Sequence, residues 1–101
     1  TVREKQLTEL ISILSGRENP MIVMGDLNSD YFHSDDTVRR LATDLRLQAH
    51  HPEATNLGTY RSNNRRLDWI LISDNLKFVE YGVVDDVVSD HLAVYASIVV
   101  D

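Results

Sequence analysis

The chain has 101 residues, 43% apolar, 26% charged and 7% aromatic, an ordinary globular composition that excludes a disordered tail, a collagen-like fibre and a coiled coil. Ten Lys and Arg against sixteen Asp and Glu give a net charge of -6, the wrong sign for holding nucleic acid or anionic lipid by bulk electrostatics. The absence of cysteine excludes a disulfide framework, a zinc-thiolate site and a cysteine nucleophile, and leaves the compartment open with the cytoplasm favoured. An anionic substrate would therefore need a local device. Bound divalent cations are one such device, and eleven of the sixteen acids are the short Asp that suits Mg2+ or Mn2+. The length allows one domain, and no apolar run approaches the roughly 20 residues of a membrane helix, so a soluble protein is expected.

In chain order, Thr1 and Glu4 have capping-box spacing, and Leu7, Leu10, Ile11 and Leu14 recur at helical period before Gly16 and Pro20. This predicts a helix over residues 2 to 15. Met21 to Met24 is a short apolar run of the kind buried on both faces of a sheet, with Asp26 and Asn28 just past its end. Ser34, Asp35 and Asp36 offer N-caps to a second helix with the apolar face Val38, Leu41, Ala42 and Leu45. Residues 50 to 58 read as loop, and Thr59-Tyr60-Arg61 as a short strand entering the polar turn Ser62-Asn63-Asn64. Three further strands are predicted over residues 67 to 73, 77 to 84 and 91 to 100, the middle one alternating less cleanly after an Asp74-Asn75 turn.

These strands carry apolar residues on both faces, with Ile70 and Ile72 on one side of theirs and Trp69 and Leu71 on the other. Two helices cover one face, and no further element is left for the second. The expectation is self-association through that uncovered face, or a polypeptide that is part of a larger domain. The helix cap at residue 1 and the missing initiator Met favour the larger domain.

Three acid-containing clusters interrupt apolar strands: Gly25-Asp26-Leu27-Asn28, Arg66-Leu67-Asp68-Trp69 and Ser89-Asp90-His91. Asp26 and Asn28 alone read as turn residues and His91 alone as a packed or surface histidine. Asp68 is harder to dismiss, because a lone buried carboxylate costs several kcal/mol (roughly, from transfer data) unless it is paired. Strand ends are where sites are built, and the joint occurrence of the three clusters points to one.

GDLN at 25 to 28, RLDWILIS at 66 to 73 and SDHLAVYA at 89 to 96, in this order and spacing, resemble the endonuclease/exonuclease/phosphatase (deoxyribonuclease-I-like) superfamily. The resemblance covers essentially the whole sequence but only the C-terminal portion of the family domain, so residues 1 to 101 are expected to be a single partial domain. It implies an α/β fold, the C-terminal half of a four-layer α/β/β/α sandwich, with a mixed sheet and two helices. It also implies a phosphoesterase dependent on Mg2+ or Mn2+ that hydrolyses a phosphodiester or phosphomonoester by attack of water. By the same resemblance Asp26 orients or deprotonates the water and contributes to the metal site, and Asn28 bonds the nucleophile or a phosphate oxygen. Asp90 is a metal ligand, His91 binds a non-bridging oxygen or transfers a proton, and Asp68 fixes the His91 tautomer. Such chemistry needs a positioned water, cationic stabilisation of the phosphoryl oxygens and relief of charge on the leaving oxygen.

The family's first metal-binding Asn, its metal-binding Glu and a further histidine come from the N-terminal part of the domain, and no residue of this sequence takes their places. These 101 residues by themselves are therefore expected to be inactive or nearly so, with the missing N-terminal half as their first partner. Candidate substrates are a phospholipid headgroup, a phosphoinositide or nucleic acid. A deoxyribonuclease or repair-type nuclease is the narrower alternative, and a non-catalytic interaction module on the same scaffold the rival from another class. Arg61, Arg65 and Arg66 could grip phosphate or form a solvated hairpin tip, with Arg66 also free to pair locally. Tyr60 could contact substrate or belong to the core. His33, His50 and His51 lack metal-ligand spacing and read as surface residues, with His33 closest in sequence to Asn28.

Overall fold

The computed structural model describes residues 2–27, 31, 37–60, 63–84 and 90–101, residues 2 and 3 by backbone alone. The elements are α1 (Val2–Leu14), β1 (Ile22–Asp26), α2 (Thr37–Asp44), β2 (Leu47–Ala49), β3 (Asp68–Ser73), β4 (Leu76–Val84) and β5 (Ala93–Val100). They form an α/β fold with two helices, a three-stranded sheet ordered β1-β3-β2 and a separate two-stranded sheet of β4 and β5. Every described strand pair is antiparallel, so the expected mixed sheet is corrected. The polypeptide does run β1-α2-β2 as a crossover between parallel strands, but β3 inserts between them and runs opposite to both.

Both helices lie over one face of the three-stranded sheet. α1 buries Leu7 and packs Ile11 alongside it, while Leu10 and Ile13 stay exposed. α2 buries Val38, Leu41 and Ala42, the face its periodicity predicts, and Leu45 follows half-buried just past the last turn. Arg46 ends this helix in the left-handed region at φ 54°. Arg40 donates from Nη2 to Thr8 Oγ1 at 2.9 Å and so ties the two helices together. The cap candidates Thr1, Ser34, Asp35 and Asp36 lie outside the described residues.

β3 is the centre of the molecule. Its Trp69 and Leu71 join the cluster under the helices, and its Ile70 and Ile72 join a second cluster on the opposite face. All four are nearly or wholly buried, each worth about 1.5–3 kcal/mol relative to exposure. The face for which the sequence offers no obvious cover is thus covered by the second sheet, through Leu76, Phe78, Tyr81, Val94, Ala96 and Ile98. β4 and β5 do not widen the first sheet. Instead the Asp74-Asn75 turn leads the backbone out of it, and the apolar face of β4-β5 buries itself by stacking back.

The weak alternation of β4 has a cause in the pairing. Phe78 opposes Ile98 and Glu80 opposes Ser97, so Val79 is the extra residue of a β-bulge. Phe78 and Tyr81, three apart, therefore both face inward, and Val79 is exposed.

β1, expected to be buried on both faces, is the edge of its sheet. The second sheet does not reach over it, leaving Ile22 48% and Met24 64% exposed. Trp69 and Leu71 are therefore not an apolar surface open to a second copy, whereas Ile22 and Met24 are. β2 is a strand that the sequence pattern does not announce; of the expected strand Thr59-Tyr60-Arg61, Arg61 lies outside the described residues and Tyr60 bridges to His91. No described helix is long and apolar enough to cross a membrane.

A carboxylate, imidazole and carboxylate cluster at the mouth of the two sheets

The register of β1 against β3 sets Gly25 opposite Trp69 and Asp26 opposite Asp68. Directly opposed residues share a face, and two like charges there disfavour the pairing unless something cationic comes between them. Alternation along β3 puts the Asp68 side chain on the same side as Ile70 and Ile72, the side that faces the second sheet. His91 lies two residues before β5, on the segment that leads into the second sheet. One carboxylate pair and one imidazole thus meet where the two sheets open.

His91 Nδ1 lies 2.6 Å from Asp68 Oδ2, and its Nε2 lies 3.6 Å from Asp26 Oδ2. With Nδ1–H donating to Asp68, the tautomer is set and Nε2 is the nitrogen presented to the opening. The side chains are 19% exposed for Asp68, 31% for His91 and 49% for Asp26, a gradient from anchor to solvent. The hydrogen bond that Nδ1–H donates to Asp68 holds the His91 pKa above its ordinary value, against desolvation, with the charges of Asp68, Asp26 and Asp90 adding to the rise. His91 stands between the opposed carboxylates, and the upward direction of its pKa favours the charge that offsets them.

Gly25 sits at φ 143°, a conformation side chains rarely allow, immediately before Asp26, and Leu27 N–H then bonds Leu67 C=O at 2.9 Å. This bend and its anchor aim Asp26 at the imidazole. The Tyr60 ring lies 5.4 Å from that of His91 at 53°, which places Tyr60 on the wall of the cluster.

Donor atoms of Asp26, Asp68 and His91 all lie within 4.8 Å of one another. Carboxylate oxygens around a patch of opposed negative charge suit a hard divalent cation, so this donor set fits one. Asp90, expected to be a metal ligand, is exposed beside His91 and is not among the three convergent residues. Asn28, Arg61 and His33 lie outside the described residues.

Arg66, expected to contact substrate, is buried rather than at this cluster's surface. It is 7% exposed and gives Nη1 to His51 C=O at 2.8 Å and Nη2 to His50 C=O at 2.7 Å and Tyr81 Oη at 3.2 Å. Its guanidinium stacks 4.0 Å above the Trp69 ring. It pairs locally, as one reading of the sequence allows, but with carbonyls and a ring rather than with an acid. His50, expected at the surface, stacks on Tyr81 at 4.6 Å and meets Phe78 edge-on. Burial pushes its pKa down, and the neighbouring His51 and Arg66 push the same way. His51 is exposed and faces Glu53 at 3.5 Å. Thr59, wholly buried behind the cluster, is a residue that sequence reasoning misses, and nothing in its type would single it out.

An antiparallel β-pair thus presents two opposed aspartates to a histidine that lies just before the second sheet. The sequence profile of the Endonuclease/Exonuclease/phosphatase family matches residues 1–91, and the protein belongs to that family. The family generally comprises divalent-metal-dependent hydrolases acting on phosphate esters. No curated protein and no solved structure matches the sequence.

Proposed function

We propose that this protein provides the water-activating and phosphate-binding residues of a divalent-metal-dependent phosphoesterase, which hydrolyses a phosphodiester or phosphomonoester by in-line attack of water. The observation that carries this reading is His91 held between Asp68 at 2.6 Å and Asp26 at 3.6 Å. Asp68 anchors Nδ1, so the cationic imidazole turns Nε2 toward a non-bridging phosphoryl oxygen. Asp26, the most exposed of the three, orients the attacking water and accepts its proton. Asn28 bonds the nucleophile or a phosphate oxygen, Asp90 joins the metal site, and Tyr60 with Arg61 contacts substrate. When bound, Mg2+ or Mn2+ supplies charge stabilisation at the phosphoryl oxygens and acidifies water.

The wider reading is that these residues form the C-terminal part of a four-layer α/β/β/α sandwich. In that arrangement Ile22 and Met24 on β1 are covered by the rest of the domain, and the 101 residues on their own are inactive or nearly so. The exposure of those two side chains is its support.

The test is hydrolysis by the natural full-length protein, with Mn2+ or Mg2+ and with chelator, of a DNA duplex, a phosphoinositide, a phospholipid and an aryl phosphodiester. Metal-dependent turnover of at least one is expected, lowered about 10²- to 10⁴-fold by Asp26→Ala or His91→Ala with the circular dichroism unchanged. A folded protein that neither turns over any of them nor binds the cation would overturn the proposal in favour of a non-catalytic module.

A further inference from the structure

We propose that Thr59 is the positioning residue that holds Asp68 and His91 in register with each other. Asp68 opens β3 while His91 lies two residues before β5, and no described backbone pairing joins β3 to β5. Their 2.6 Å contact therefore depends on whatever connects the two backbones locally.

Thr59 makes that connection in both directions. Its side-chain oxygen accepts the N–H of Leu67 at 3.0 Å and the N–H of Asp68 at 3.1 Å, two consecutive donors at the head of β3. A hydroxyl oxygen has two lone pairs and can take both. Its backbone carbonyl accepts the N–H of Leu92 at 2.7 Å, one residue past His91, and its own N–H donates to the Arg65 carbonyl at 2.9 Å. Tyr60, the next residue, forms the bridge to His91 itself. One wholly buried residue thus grips the backbone at Asp68 with its hydroxyl and the backbone beside His91 with its peptide group.

Valine has the shape of threonine without the oxygen, so Thr59→Val deprives two N–H groups of their acceptor, that of Leu67 buried and that of Asp68 partly buried. The head of β3 must then shift to find other acceptors, and the carboxylate moves with it. Serine keeps the acceptor. The consequence for hydrolysis rests on the function proposed above; the positioning does not, and it is read without turnover.

The experiment is nuclear magnetic resonance of the full-length protein, following the low-field Nδ1–H resonance of His91, which the hydrogen bond to Asp68 shelters from exchange with water. Wild type and Thr59→Ser are expected to show it. Thr59→Val is expected to lose it while the β4-β5 amide signals stay dispersed. Retention of the resonance in folded Thr59→Val, or its absence from wild type, would overturn the proposal. Should Thr59→Val fail to fold, hydrogen exchange on wild type decides. The amides of Leu67, Asp68 and Leu92 are expected to open together with one protection factor, and Leu92 exchanging independently of the other two would sink the idea.

Discussion

His91 is the residue at which geometry, charge and pH dependence meet. Its pKa in the folded state is raised, chiefly by the hydrogen bond to Asp68, so the stabilisation tied to its charge is fully present below the unfolded value near 6.5 and is lost as pH rises through the folded value. Asp68→Ala removes the first cause, because it leaves Nδ1–H no side-chain acceptor at that position. In that variant the imidazole chemical-shift titration moves to lower pH, and the difference in Tm from wild type narrows as pH rises above the unfolded value near 6.5. An unchanged titration midpoint would contradict the assignment of Asp68 as the partner. The three clustered residues are legible in the sequence because each is a polar residue at or beside an apolar strand, where an uncompensated charge is costly. Arg66 misleads for the same reason in reverse: a guanidinium buried on a tryptophan face, with carbonyls as acceptors, looks in the sequence like any other arginine of a basic turn.

Among the elements, β1 shows how a strand aims a functional group. Gly25 at φ 143° bends the strand just before Asp26, and a Cβ there meets no neighbouring atom, so the obstacle to substitution is conformational rather than steric crowding. Gly25→Ala is expected to cost about 1–3 kcal/mol of stability in urea unfolding and to lower metal-dependent turnover in the full-length protein. Leu71→Ala, at the wholly buried centre of β3, is expected to cost about 2–5 kcal/mol, and a loss below about 1 kcal/mol would mean that the helices pack elsewhere. The two helices and β3 to β5 follow from periodicity and apolar runs, with ends displaced by one or two residues. β2 does not, because three residues directly after a helix turn hold no alternation to read. The assignment of β4 and β5 to their own sheet is equally hidden. Strand pairing and strand stacking both demand one apolar face, and only the Val79 bulge, which turns Phe78 and Tyr81 to the same side, distinguishes the outcome.

At the scale of the whole molecule, the helices, the three-stranded sheet and the β4-β5 sheet stack in three layers, and Ile22 and Met24 on β1 are part of the apolar surface left over, with Ile13 on α1 and Val79, Val99 and Val100 on the second sheet. Light scattering of the isolated 101 residues is expected to show association that Met24→Ser with Ile22→Ser abolishes; a monomer at high concentration before substitution would show that these side chains drive no contact. The central strand has a consequence for how the molecule finds this structure. Because β3 is apolar on both of its faces, sliding it by one residue would exchange Trp69 and Leu71 for Ile70 and Ile72 at little hydrophobic cost, so greasiness alone does not choose between the two threadings. What chooses is polarity at the strand's ends, since a slipped Asp68 would be driven under the helices and Ser73 would lose its bond to the Met21 amide. The carboxylate that anchors the imidazole thereby also proofreads the folding search, and a variant that made position 68 apolar would leave the polypeptide free to settle into the wrong threading.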